Sequence, residues 1–168
     1  MRADQKITSL ELDETRASRR SEADDLELAA AIRDLCADNR FAVVGEAPGP
    51  FAVRLGIADG QLALEVSGPA GDCLLRHALS LAPVRRLIRD YMSVRNSHLE
   101  AVRAGSRSRI EAIDVGRRAL HDEGADALCR RLETVVTMDK ATARRVFTLI
   151  CALVPREWIV LDAPDGRS

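Results

Sequence analysis

Alternation of hydrophobic and polar residues predicts a β-meander in the first half of the chain. The segments FAVRLGIA (51–58) and QLALEVS (61–67) both alternate, and the Asp-Gly dipeptide between them is a strong signal for a two-residue hairpin turn. The turn sequence GPAG then leads into CLLRHALSL (73–81), which predicts a third strand. Residues 7–12 alternate as well and predict a short strand at the edge of the sheet.

Helical periodicity marks one early segment and most of the second half of the chain. The first helix is predicted over residues 21–39, where acidic residues crowd the first turns and Leu28, Ile32 and Leu35 form one apolar face. The next helix is predicted over about residues 83–104, because proline is well suited to the first position of a helix.

Two further helices are predicted in the last third of the chain. Ser108 and Glu111 have the spacing of a capping box, which predicts a helix that begins near Arg109. Gly124 is predicted to end or bend that helix, with helical sequence continuing to about residue 133. Asp139 is predicted to cap the last helix, which a proline stops.

Together these elements predict an α+β fold, in which a small antiparallel β-meander carries three or four helices packed on one face. WIVL (158–161) is predicted either to add an edge strand or simply to pack on the core. A chain of 168 residues is long enough for one domain, which we expect to span residues 1–168. Its core should cover about residues 7–154, between a flexible N-terminus and a flexible C-terminal tail.

Composition and charge narrow the class of protein. The net charge is −1 and only 3% of residues are aromatic, which argues against a protein built mainly to hold nucleic acid. Residues 1–82 carry a net charge of −5 and residues 83–168 a net charge of +4, and almost all of the basic residues are arginines. Arginine suits the capture of carboxylates and phosphates, although a genome rich in GC also favours its codons.

The cysteines and the apolar segments predict a cytoplasmic protein. Four cysteines are widely spaced, without the C-x-x-C or Cys/His spacing of a zinc site, so free thiols in a reducing compartment are expected. The N-terminus lacks the apolar region of a secretory signal, and no window is apolar enough to span a membrane.

The segment IEAIDVGRRALHDEG (110–124), together with the last helix, carries the candidate functional site. The first segment places Asp114, Arg117, Arg118, His121 and Glu123 within three helical turns, and the last helix adds Arg144 and Arg145. The candidates for catalysis are His121, Asp114 and Glu123. The candidates for binding an anion or a partner are Arg117, Arg118, Arg144 and Arg145.

Two interpretations of this cluster stay open. Asp114 lies one turn before Arg118 and two turns before His121, so it could orient the imidazole and tune its pKa. The same groups could instead form a structural salt-bridge network, since such networks also perturb pKa values. A metal site built from His121, Asp114 and Glu123 is a distant third, because the P-C-x-x-C segment that accompanies H-x-E in zinc deaminases is absent. No metal and no cofactor are expected.

Three further side chains have simpler interpretations. His77 is predicted to be a core histidine, and Cys151 a buried inert thiol. Arg95 falls near the centre of an apolar stripe, where an unpaired charge is costly. It should therefore pair with an acid such as Asp114 or line a cavity.

The chain resembles the uncharacterised protein family 0262, a set of small bacterial proteins. The resemblance rests on FAVVGEAPGPFAVRLGIADGQLALEV and LSLAPVRRLIRDY, and most specifically on IEAIDVGRRALHDEG with TARRVFTLICAL. It covers roughly residues 7–154, and it departs from the family pattern at Ala82, where a hydroxyl residue is usual before the proline. The resemblance implies a small cytoplasmic protein and no assigned activity or cofactor.

The sequence therefore favours a non-enzymatic module that binds a protein partner or itself through an arginine-bearing helical face. The alternative is a binder of, or an enzyme acting on, an anionic small molecule. Paired arginines would then hold the anion, and His121, oriented by Asp114, would act as acid or base. RNA binding is a second alternative, against which the lack of interleaved aromatic residues argues.

Overall fold

The computed structural model of the protein describes residues 2–13 and 22–160. The predicted C-terminal tail falls largely on residues 161–168, which lie outside the described residues, as do residues 14–21.

The strands form one four-stranded and one two-stranded sheet. The six strands of the described residues are β1 (Ile7–Asp13), β2 (Phe41–Val43), β3 (Phe51–Ala58), β4 (Gln61–Ser67), β5 (Cys73–Ser80) and β6 (Val136–Met138). The larger sheet has the order β1-β3-β4-β5, and the smaller one pairs β2 with β6 in antiparallel orientation. The predicted meander β3-β4-β5 is confirmed, with antiparallel pairing throughout.

The sheet is mixed, whereas a purely antiparallel one was expected. β1 takes the predicted edge position but pairs with β3 in parallel, with Leu10 opposite Val53 and Leu12 opposite Leu55. This arrangement is possible because a helix lies between β1 and β3 along the chain and brings it back to the same end of the sheet. The α+β class is confirmed.

The five helices of the described residues are α1 (Glu22–Ala37), α2 (Arg85–Arg103), α3 (Arg107–Leu132), α4 (Lys140–Leu153) and α5 (Arg156–Val160). A single 3₁₀ turn over Ala82–Val84 leads into α2. The connection between α2 and α3 is only three residues long and contains Gly105 in the left-handed region, at φ +68°. α2 and α3 therefore form a helical hairpin.

One hydrophobic cluster joins the sheets to the helices. Every second residue of β4 is buried, and so are Phe51, Val53 and Leu55 in β3, as the alternation predicted. α4 covers this face together with the C-terminal part of α3, and its buried apolar residues include Val146, Phe147, Leu149, Ile150 and Leu153.

The predicted helix starts have different outcomes. Asp139 caps α4 as predicted, because its carboxylate accepts a hydrogen bond of 2.9 Å from the backbone N–H of Thr142. The predicted capping box of Ser108 and Glu111 is wrong. α3 begins at Arg107, and its N-cap residue, Ser106, makes no side-chain cap hydrogen bond.

Gly124 does not end α3, which was one of the two predicted alternatives. The helix continues through it to Leu132, and Gly124 is buried against the ring of Phe147 in α4. A Cβ atom at this position would lie 2.6 Å from that ring, which is too close for any side chain. Gly124 is therefore a point of close approach between α3 and α4, and glycine is needed there for space.

The described residues of the WIVL segment, 158–160, are helical and form no strand, so the packing alternative applies to them. Trp158 of α5 is half-buried, and the guanidinium of Arg85 lies 4.3 Å from the centre of its ring. A Cβ atom built on Gly60 would lie 2.9 Å from the indole Nε1 of Trp158. α5 therefore covers the tip of the β3-β4 hairpin.

We expect Gly124→Ala to destabilise the protein by about 1–3 kcal/mol, because the added methyl group must displace Phe147 or separate α3 from α4. The matched control is Gly116→Ala in the same helix, where no atom of the described residues lies within 4 Å of the added Cβ. There the higher helix propensity of alanine should raise the free energy of unfolding by up to about 1 kcal/mol. Urea denaturation at low protein concentration measures both, and equal effects would contradict a packing role for Gly124.

Candidate functional site

His121 is held by the backbone of α4. His121 is a residue of α3 and lies one turn before Gly124. The Nε2 atom of its ring is 2.8 Å from the carbonyl oxygen of Arg144. Because a carbonyl can only accept, Nε2 carries a proton and donates it to this oxygen. The hydroxyl of Thr148 lies 2.9 Å from the same nitrogen and itself donates to the Arg144 carbonyl over 3.1 Å. The imidazole is thus fixed in one orientation.

Aromatic rings enclose the other side of His121. The imidazole stacks on Tyr91 of α2, with ring centroids 5.3 Å apart, and lies 6.2 Å from the ring of Phe147. Burial lowers the pKa of His121 below its ordinary value of 6.5, although the hydrogen bond to the Arg144 carbonyl opposes this shift. The positive charges of Arg117 and Arg144 lower the pKa further. His121 is therefore neutral at pH 7.

Asp114 does not orient His121, contrary to the first interpretation of the sequence. Its carboxylate binds two arginines of its own helix, with Oδ1 2.6 Å from Nη2 of Arg117 and Oδ2 2.9 Å from Nε of Arg118. The hydrogen bond from Arg117 is the main reason why the pKa of Asp114 lies below its ordinary value. The partners that orient His121 are Arg144 and Thr148, which come from a different helix.

Arg144 and Arg145 are adjacent in sequence but bind different elements. The guanidinium of Arg144 reaches α3, where its Nε and Nη2 lie 2.6 and 2.5 Å from Oδ1 of Asp122. Arg145 turns towards the C-terminal end of α1 and donates to the backbone carbonyl of Asp38. A cation is favourable there, because the last carbonyls of a helix carry partial negative charge. The four candidate arginines therefore do not converge on one anion site.

The remaining catalytic candidate, Glu123, is exposed on the outer side of α3. Among residues 2–13 and 22–160 no group of three or more histidine, cysteine or acidic side chains could hold a metal ion, and His121, Asp114 and Glu123 do not form one. The cluster as a whole has the geometry of a structural salt-bridge network, which links α3 to α4 and reinforces α3 itself.

The interior cavity between the larger sheet, α3 and α4 is small and apolar. It holds about 20 Å³, and side chains such as Val53, Leu64 and Val146 line it. Cys151 of α4 is also buried, and burial raises the pKa of its thiol far above the ordinary value of 9.0. The thiol is therefore inert at neutral pH.

Arg95 and His77 take positions that differ in detail from the predictions. Arg95 pairs with an acid as expected, but the acid is Glu27 of α1 and not Asp114. The Oε2 atom of Glu27 lies 2.6 Å from Nη2 of Arg95. This ion pair joins the first and second helices. His77 lies on the edge strand β5 opposite Leu64 and is only partly buried, so the prediction of a core histidine is too strong.

A group of unpaired cations lies at the turn of the α2–α3 hairpin, which sequence reasoning did not single out. Arg103, Arg107 and Arg109 are exposed, and within the described residues they form no ion pair. Val102 is 50% exposed beside them, and Val115 further along α3 is 72% exposed. The net charge of +5 over residues 83–118 was the available signal, but it could not show which arginines are neutralised internally.

The similarity of the chain to known proteins shows its family. A family profile described as Uncharacterised protein family (UPF0262) matches residues 4–156. The chain belongs to this family.

Among similar UPF0262 proteins, one from Chelativorans sp. (strain BNC1) is 44% identical over 149 residues, covering 88% of this chain and 92% of the relative. Another, from Phenylobacterium zucineum (strain HLK1), is 44% identical over 148 residues with the same coverage. The description of the UPF0262 family assigns it no activity. No solved structure gives a significant match. In the part of the chain that the structure describes, no helix is both long and apolar enough to cross a membrane.

We expect the stability of the protein to fall as the pH drops below about 6.5, in part because of His121. The pKa of His121 is lower in the folded than in the unfolded state, so the unfolded chain takes up the proton first. The contribution of neutral His121 to the free energy of unfolding is complete above pH 6.5. It is lost as the pH falls towards the pKa of His121 in the folded state. Thermal unfolding between about pH 5 and 8 measures this dependence.

His121→Gln should flatten this part of the pH dependence, because an amide N–H can still reach the Arg144 carbonyl but does not titrate. Thr148→Val is the matched control. It removes the neighbouring hydroxyl, lowers stability at every pH and keeps the titrating ring. A His121→Gln variant with the full pH dependence of the wild type would show that another group is responsible.

Proposed function

We propose that this protein is a non-enzymatic protein-interaction module, and that the turn of the α2–α3 hairpin binds an acidic surface of a partner protein. The observation that carries the proposal is the contrast between two sets of arginines. Arg117, Arg118 and Arg144 face carboxylates of their own chain, and Arg145 caps a helix end. The set at the turn is exposed and has no such partner within the described residues: Arg103, Arg107 and Arg109.

The surroundings of these arginines support a protein partner. Val102, half exposed beside Arg103, adds an apolar contact of the kind found near the centre of protein interfaces. Uncompensated positive charge accelerates encounter with an acidic partner and disfavours basic ones. An extended basic surface with aromatic side chains, which would favour RNA, is not present at this turn in the described residues.

An anionic small molecule is less well supported. Small ligands bind in concave sites with convergent polar groups, whereas the cavity between the sheet, α3 and α4 is apolar and holds about 20 Å³. To bind an anion, Arg117 and Arg118 would have to release Asp114, and Arg144 would have to release Asp122. We accordingly assign no catalytic step to His121.

The proposal includes a cytoplasmic location. All four cysteines are free thiols, and Cys73 is exposed on the edge strand β5. Free exposed thiols persist in a reducing compartment.

The experiment is site-specific photo-cross-linking in lysate of the native host, with a benzophenone amino acid at position 103. The matched control carries it at position 54, on the exposed outer face of β3. We expect a protein adduct from position 103 only, to be identified by mass spectrometry. The identified protein is then purified, and its affinity for the full chain is measured by calorimetry at two salt concentrations.

We expect Arg107→Glu to weaken this affinity by about tenfold, because it places a negative charge against the acidic surface of the partner. The variant should fold normally, since Arg107 is the first residue of α3 and an acidic side chain there is favoured by the helix dipole. Arg54→Glu serves as the control for a charge reversal elsewhere. Adducts that form equally at position 54, or that vanish on ribonuclease treatment, would refute the proposal.

A further inference from the structure

We infer that a second copy of this chain packs antiparallel on the outer face of α3, about a two-fold axis near Val115 and Gly116. The inference rests on the proposed function only in using the same hairpin as an interaction element. It concerns the outer face of α3. Arg109 belongs to both surfaces, but the charge reversals that test the two proposals differ: positions 103 and 107 for the partner, and positions 109 and 123 for the dimer.

The outer face of α3 carries an apolar stripe that the described residues leave uncovered. Ala112, Val115, Gly116 and Ala119 follow each other at the spacing i, i+3, i+4 and i+7, which places them on one side of a helix. All four are exposed, and Val115 is 72% exposed. The buried residues of α3 lie only from Gly124 onward, so this stripe belongs to the half of the helix that the described body of the protein leaves uncovered.

Gly116 makes no close contact within the described part of its own chain. Nothing lies within 4 Å of a Cβ built on it, and its backbone is helical, so neither space nor conformation requires glycine there. In the same helix, the missing side chain of Gly124 allows the ring of Phe147 in α4 to pack at close range. A second helix that approaches Gly116 would make equivalent use of a glycine that otherwise only weakens α3.

The charges that flank the stripe are self-complementary. One flank carries Glu111 and Arg118, and the other carries Arg109 and Glu123. In an antiparallel pair related by a two-fold axis, each flank faces the same flank of the other copy. Both charged pairs and the apolar stripe have their midpoints within about one residue of Val115, so each of these four charges meets an opposite charge.

These charges are available for pairing. Arg109, Glu111 and Glu123 are exposed and make no ion pair within residues 2–13 and 22–160. Arg118 contacts Asp114 through Nε, and its side chain remains 76% exposed. One helix pair buries less surface than a permanent dimer requires, so we expect a reversible dimer with a dissociation constant on the order of micromolar.

Sedimentation velocity of the full chain over a range of concentrations tests the inference with charge-reversal variants. In the dimer, position 109 of each copy faces position 123 of the other copy. Arg109→Glu or Glu123→Arg therefore creates two pairs of like charges, and we expect each variant to raise the dimer dissociation constant at least about tenfold. The double variant restores both pairs and should return to within about threefold of the wild type. Circular dichroism confirms that the helices are intact.

The decisive sample is an equimolar mixture of the two single variants. In the mixed dimer one copy is acidic at both position 109 and position 123, and the other copy is basic at both. Each of the two pairs then joins opposite charges, so the mixture should dimerise although neither variant does so alone. A wild type that stays monomeric at high micromolar concentration, or a mixture that stays monomeric, would overturn the inference.

This result is separable from the proposed function. Arg103→Glu lies in α2, away from the face of α3 that forms the dimer, and should leave the dimer unchanged while it weakens capture of the acidic partner. The double variant Arg109→Glu/Glu123→Arg should keep the dimer, whatever the photo-cross-link at position 103 reveals.

Discussion

The arrangement of the helices depends on the close contact between α3 and α4 at Gly124 and Phe147. Because Gly124 has no side chain, the ring of Phe147 lies where a Cβ would be, and the two helices approach more closely than a pair of larger residues would permit. That distance allows His121 to reach the Arg144 carbonyl and Asp122 to reach the Arg144 guanidinium. One apolar contact thus fixes the positions of the neighbouring polar groups.

The polar groups near this contact are arranged to satisfy one another. His121 donates to a backbone carbonyl, and Arg144 neutralises Asp122. Buried or half-buried polar groups that are fully paired specify a unique packing, but they leave little capacity for a ligand. The cluster that the sequence suggested as a site consists of groups paired within the chain, and the proposed binding surface lies on the exposed half of the hairpin.

What could be predicted from the sequence was local. The hairpin of β3 and β4 and the Asp139 cap depend on residues close together in the chain, and both are confirmed. The parallel partner of β1 and the ion pair of Arg95 with Glu27 depend on contacts across many residues, which no local pattern encodes. Gly124 was misjudged because the local rule treats glycine as a helix terminator, whereas here the neighbouring helix decides its role.

In the proposed dimer, α3 would serve the fold through Gly124 and the assembly through Gly116. Glycine inside a helix costs about 1 kcal/mol relative to alanine, so each needs an offsetting contact. Gly124 has that contact in Phe147 of its own chain, and Gly116 has none within 4 Å among the described residues. A helix that gains its second contact only from another molecule is least stable when alone, so binding of a partner and ordering of the exposed half of α3 should be coupled.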